Sequence, residues 1–151
     1  MKEDIAAIIK EKLDHKLSNF SRPSDRRIYC VADSKDIVAV AKTLFWDLGL
    51  RFATATAAQL ENGFEILYHF SFDKTGQLIT VRTLLKDKEH PETESITPVF
   101  KAAEWIEREM HEILGIHFKN HPNLTHLLLV DDWPEGEYPL RKDTKHKSND
   151  K

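Results

Sequence analysis

The chain has 151 residues, enough for one domain with a sizeable core. A net charge of −3 argues against a surface that binds nucleic acid or an anionic membrane. No apolar run approaches the roughly 18–20 residues that span a bilayer, the charged N-terminus does not resemble a secretory signal, and the single cysteine excludes an internal disulfide or an iron–sulfur cluster ligated by cysteines alone. We therefore expect a cytoplasmic protein.

The first third of the chain predicts a helix, a strand and a second helix, in that order. Apolar residues recur with helical spacing over residues 5–20, and the Arg-Pro-Ser-Asp sequence at 22–25 ends that pattern. Residues 27–32, RIYCVA, form a short β-branched and aromatic run that is typical of a buried strand, with Cys30 as a core residue. A second helix is expected up to Gly49, which suits a left-handed C-terminal cap.

The middle of the chain changes to a period of two residues. Three runs between residues 51 and 85 indicate strands, joined by an Asn62–Gly63 turn and a turn over residues 73–76. One face of the second run is rich in aromatic residues. Consecutive strands with short turns predict an antiparallel meander, and helices at both ends of the chain can cover its aromatic face. The predicted fold class is α+β, a two-layer domain.

The last third begins with a polar loop at residues 86–95 and continues with a third helix. Its apolar stripe is Val99, Ala103, Ile106 and Met110, and Gly115 ends it. Beyond that glycine the sequence loses its periodicity and becomes rich in proline and aromatic residues. We therefore predict an α+β domain over residues 1–116, an extended partner-binding arm over 117–143 and a disordered polar tail over 144–151.

A metal site is one hypothesis for the third helix and the residues after it. It would make the chain a free-standing metal-dependent enzyme that uses His111, Glu112, His117 and His121. His111–Glu112 begins like the H-E-x-x-H zinc motif, but Gly115 occupies the position of the second histidine. Helical spacing beyond that glycine cannot be assumed, so the pattern argues for surface or interface imidazoles instead.

Acid–base catalysis is also weakly supported. Glu107, Glu109 and Glu112 lie on a single helix, whereas the paired carboxylates of hydrolases flank a substrate across a cleft. No serine lies in a nucleophile elbow, and Cys30 is expected to be buried. We assign no catalytic, cofactor-binding or metal-binding residue from the sequence.

Three motifs in the last third of the chain, EREMHEILGIHF, HPNLTHLLL and PLRKD, occur in this order. They resemble the signature of the 30 kDa subunit of respiratory complex I, which is the C subunit of the bacterial NADH-quinone oxidoreductase. The same domain occurs in energy-converting membrane-bound hydrogenases, and DDWPEGEYPLRKD looks more like that branch. Two departures are Thr125–His126 in place of a common arginine pair, and Thr144 where an aromatic residue often follows the aspartate.

The resemblance implies a non-catalytic accessory subunit of an oxidoreductase complex, without a cofactor or an active site of its own. It would dock the large hydrogenase-like (49 kDa-type) subunit and a neighbouring iron–sulfur subunit, on the cytoplasmic inner face of the membrane. The residues that the motifs assign to the partner interface are Glu107, Arg108, Glu109, Glu112, Gly115, His121, Pro122, Leu124, Trp133, Tyr138, Pro139, Leu140, Arg141, Lys142 and Asp143.

Overall fold

The computed structural model describes residues 4–124 and 137–141. Its helices are α1 (Ile5–Leu13), α2 (Ile37–Lys42), which continues as a π-helical segment (Thr43–Asp47), and α3 (Ala103–Leu114). The strands are β1 (Leu17–Ser24), β2 (Arg27–Ala32), β3 (Arg51–Leu60), β4 (Gly63–Phe72), β5 (Gln77–Leu85), β6 (Glu92–Glu94) and β7 (His117–Lys119). Within these residues, no helix has the length and apolar character needed to cross a membrane.

Five strands form one sheet in the order β1-β2-β5-β4-β3. The consecutive strands β3, β4 and β5 pair antiparallel, but β2 runs parallel to β5, so the sheet is mixed. The parallel pair requires the crossover that α2 and its π-helical extension begin. The α+β class predicted from the sequence is confirmed, and the three strands of the predicted meander belong to a larger, mixed sheet.

One face of the sheet forms the core. Every second residue of β4 is buried, from Phe64 to Phe72, because successive side chains of a strand point to opposite faces. Apolar residues of α1, α2 and α3 pack into the same cluster. Cys30 lies in this core as predicted, 1% exposed, and burial raises the pKa of its thiol to about 12. The thiol is therefore not poised as a nucleophile.

The chain between residues 14 and 24 differs from the prediction. Helix α1 ends at Leu13, and the residues that were expected to extend it form β1, an edge strand that pairs with β2. Only Leu17 of this strand is buried, so its sequence lacks the alternation by which strands are recognised. An edge position also tolerates Pro23, which has no N–H to donate to a neighbour.

The predicted polar loop contains a further strand. β6 pairs in parallel with β7, so the first three residues of the predicted arm form regular structure with residues 92–94. Each strand is only three residues long and largely polar, which explains why the sequence did not reveal them. This small sheet lies beside α3, and it positions the chain that leads into the arm.

Candidate functional site

Helix α3 carries the first of the three motifs and holds parts of the other two at its ends. In its first turn, the backbone carbonyl of Glu104 lies 3.0 Å from His121 Nε2. In its last turn, backbone carbonyls accept hydrogen bonds from Leu140 and Arg141. The segment after β7 is thus attached at both ends of α3. Trp133, Lys142 and Asp143, also predicted for the interface, lie outside the described residues.

Glu107 lies on the inner face of α3 and is only 1% exposed. Its Oε1 accepts the backbone N–H of Ile96 at 2.8 Å, and the hydroxyl of Ser95 and the N–H of Thr97 also interact with the carboxylate. Burial raises the pKa of Glu107 to about 7, although these three donors lower it. This carboxyl group connects α3 to the turn that follows β6, so Glu107 lies in the interior of the described domain, and its contact with a partner stays a prediction.

The other predicted charges of α3 divide between interior and surface. Glu112 is 4% exposed, so it does not supply surface charge either, whereas Glu109 is exposed. The guanidinium of Arg108 lies 5.7 Å from the centroid of the Trp105 ring, which is 62% exposed. An exposed tryptophan beside an arginine is a combination enriched at protein interfaces. Contact of Arg108, Glu109 and Glu112 with a partner stays a prediction.

Residues 138–141 form a short clasp over the C-terminal end of α3. Leu140 N–H donates to the carbonyl of Ile113 at 3.2 Å, and Arg141 Nε donates to the carbonyl of Leu114 at 2.8 Å. These bonds satisfy carbonyls that a helix end leaves without an intrahelical partner. Gly115 has φ +76°, and a Cβ there would collide with the ring of Tyr138. Two features therefore favour glycine at this position, the positive φ and the close approach of the Tyr138 ring.

The histidines of the metal hypothesis are engaged with the backbone. His121 Nδ1 accepts the N–H of Asn123 at 2.9 Å, so its Nε2 carries the proton that bonds to Glu104. His111 Nδ1 donates to the carbonyl of Ile116 at 2.9 Å. Among the described residues, no group of three or more histidine, cysteine or acidic side chains could hold a metal ion. The metal-enzyme hypothesis is not favoured.

The remaining interface residues of the described chain lie along the arm. Pro122 is exposed, Leu124 is half-buried against the core, Pro139 is half-buried, and Leu140 is 64% exposed. Sequence reasoning missed two further contributors, the turn around Ile96 that receives Glu107 and the ring of Phe64 that supports Arg141. Phe64 is distant in sequence from Arg141, and Ile96 lies 11 residues before Glu107, so neither contact follows from the periodicity of a helix or strand.

Residues 30–150 match the family model described as respiratory-chain NADH dehydrogenase, 30 Kd subunit. The chain belongs to this family. The resemblance found in the three motifs is thereby confirmed, and the match extends well beyond them, beginning within β2. The description of this family names a subunit of a larger enzyme.

Relatives of the 30 kDa family differ in length and in the complexes for which they are named. The C subunit of NADH-quinone oxidoreductase from Chelativorans sp. is 35% identical over 146 residues, which cover 93% of this chain and 70% of the relative. The C subunit of F(420)H(2) dehydrogenase from Methanosarcina mazei is 48% identical over 80 residues, 52% of this chain and 49% of the relative. In Phocaeicola vulgatus, a combined C/D subunit of NADH-quinone oxidoreductase is 41% identical over 83 residues, 55% of this chain but only 16% of that relative.

A solved structure supports the fold of the 30 kDa family member described here. A chain of the membrane-bound sulfane sulfur reductase, an archaeal respiratory membrane complex, superposes with a TM-score of 0.78 and 24% identity. The match covers 92% of this chain and 82% of that one. At this identity the likeness establishes the fold alone.

Proposed function

We propose that the chain is a non-catalytic accessory subunit of a complex I-like NADH-quinone oxidoreductase or an energy-converting hydrogenase. It docks the large hydrogenase-like (49 kDa-type) subunit and contacts a neighbouring iron–sulfur subunit, on the cytoplasmic inner face of the membrane. Family membership supports the kind of complex. Electron transfer then belongs to the neighbouring subunits, and this chain holds them in position.

The observation that carries the proposal is the two-ended attachment of the arm to α3. His121 fixes its beginning at Glu104, and the clasp fixes residues 138–141 at the other end of the helix. Attachment at both ends lowers the conformational entropy that the segment loses when it binds a partner. A docking segment held in this way can combine affinity with a defined orientation.

The surface around these attachment points has the composition of an interface. Leu140 and Trp105 are among the most exposed large apolar side chains of the described residues. Glu109 and Arg108 lie beside Trp105 on α3 and can define the orientation of a partner through charge. An apolar anchor with charges nearby is the usual arrangement of a protein interface.

The proposal is tested by expressing the chain with its native neighbours and measuring how much large subunit co-purifies. The variant Leu140→Ser should lower the recovered large subunit by roughly tenfold or more, since a central apolar anchor contributes about 2 kcal/mol or more. Leu84→Ser is the matched control, because Leu84 is 41% exposed on β5 and lies outside the α3 site. The proposal fails if no large subunit co-purifies with the wild-type chain, or if the two variants behave alike.

A further inference from the structure

A polar recess of about 300 Å³ lies between the loop before β6 and the C-terminal end of α3. Gly115 and Tyr138 form one wall, and residues 89–92 form the opposite wall. His111 and His117 also face it, with their ring centroids 6.4 Å apart. Arg141 supplies the only guanidinium that lines it within the described chain.

The guanidinium of Arg141 is held in a fixed orientation. Its Nε donates to the carbonyl of Leu114 at 2.8 Å. Its central carbon lies 5.1 Å from the centroid of the Phe64 ring and 4.8 Å from that of Tyr138. A planar guanidinium stacks well on aromatic faces, and these contacts restrict the rotation of the side chain. In the part of the chain that the structure describes, the two terminal nitrogens have no hydrogen-bond partner and can contact another group.

Within residues 4–124 and 137–141, no acidic side chain forms an ion pair with Arg141. Two carboxylates line the recess, and one of them, Glu92, is paired with Lys119, whose Nζ lies 2.9 Å from its Oε1. Glu89 lies at the exposed rim. Arg141 is half-buried and has no ion pair among the described residues, so an incoming anion would stabilise its charge.

We propose that this recess receives a carboxylate side chain, aspartate or glutamate, from the partner subunit, bound end-on by both terminal nitrogens of Arg141. This inference rests on the proposed docking function and names the chemistry of one contact. The planar fork of a guanidinium matches the two oxygens of a carboxylate. A phosphate dianion would meet stronger repulsion from Glu89 and Glu92, which line the same recess.

The first test uses the isolated full-length chain and sodium acetate as the probe. The Arg141 Nε–H resonance and the Gly115 amide resonance should shift saturably in an NMR titration with acetate. Sodium chloride at equal ionic strength should leave both unchanged, and the resonances of Arg51, which is exposed and paired with Asp73, should not respond. Absence of a saturable shift overturns the proposal. A tighter response to phosphate than to acetate also overturns it, because the recess would then prefer a dianion.

The second test compares Arg141→Lys with Arg51→Lys in the co-purification experiment. Lysine keeps the charge but loses the fork and the bond to Leu114, so we expect roughly tenfold less large subunit with Arg141→Lys and no change with the control. Equal recovery with both variants overturns the inference and leaves the docking function intact. If even the wild-type chain recovers no large subunit, the docking function fails, and the acetate titration still reports on the recess by itself.

Discussion

Two ionisable side chains at helix α3 point in opposite directions: Glu107, in the middle of the helix, points inward, and Arg141, which packs on its C-terminal end, points toward a recess. Toward the middle of the helix, the carboxyl group of Glu107 points inward and accepts the backbone N–H of Ile96. At the C-terminal end, the positive charge of Arg141 is oriented by the fold toward an open recess. Charge in a motif therefore does not by itself mark a docking surface. The carboxyl group of Glu107 connects α3 to a neighbouring turn, whereas Arg141 is the residue that we propose to bind a partner.

Because Glu107 is buried, we predict that the stability of the domain depends on pH. Because the native pKa of Glu107, about 7, lies above its ordinary value of 4.5, the native state binds the proton more tightly than the unfolded state. The resulting stabilisation is complete below the unfolded pKa and is lost as the pH rises through the native pKa. Glu107→Gln mimics the neutral acid, so the wild type should lose about 3 kcal/mol relative to this variant between about pH 4.5 and about pH 8.

Urea denaturation at several pH values measures this difference. Glu109→Gln is the control, since this exposed side chain lies on the same helix, and its effect should stay small at every pH. If the wild type and Glu107→Gln show the same pH dependence, the buried carboxyl does not titrate as described, and the contrast with the C-terminal end of α3 is lost.

Substitutions at two glycines can isolate the contribution of the clasp to stability, and we expect an effect of intermediate size. Gly49 and Gly115 have φ values of +72° and +76°, so alanine at either position should cost about 1 kcal/mol of stability in backbone strain. Only at Gly115 does the added Cβ also collide with Tyr138, whereas nothing lies within 4 Å at Gly49. We expect Gly115→Ala to cost about 2–3 kcal/mol, the excess reflecting the displaced clasp.

Chemical denaturation compares the two alanine variants, and hydrogen exchange of the Leu140 amide reports the clasp directly. The exchange of this amide should accelerate in Gly115→Ala and remain unchanged in Gly49→Ala, because its acceptor belongs to the end of α3. Equal costs for the two substitutions would mean that Tyr138 moves away without loss, and that the clasp does not depend on this contact.

These residues also show which features of the structure can be predicted from the sequence. Both glycines were identified correctly as helix ends, because a positive φ leaves a direct signature in the residue type. The inward direction of Glu107 was not predicted, since charged residues rarely lie fully buried and its partner is a backbone N–H in a turn 11 residues earlier. β6 and β7 were missed for a related reason: their pairing is parallel and spans residues far apart, so no local pattern records it.

The smallest effect that we predict concerns the rim of the recess, where the wall carboxylate Glu92 is paired with Lys119. Both side chains are exposed, so Glu92→Gln should leave the denaturation midpoint within experimental error. The same substitution removes one negative charge beside Arg141 and releases the charge of Lys119.

Acetate should then bind to the recess about two- to fivefold more tightly at low salt, and added salt should reduce this gain in affinity. Asp73→Asn, which breaks an exposed ion pair elsewhere, should not change the affinity for acetate. If Glu92→Gln weakens acetate binding instead, the rim carboxylate helps to shape the recess, and its electrostatic role would have the opposite sign.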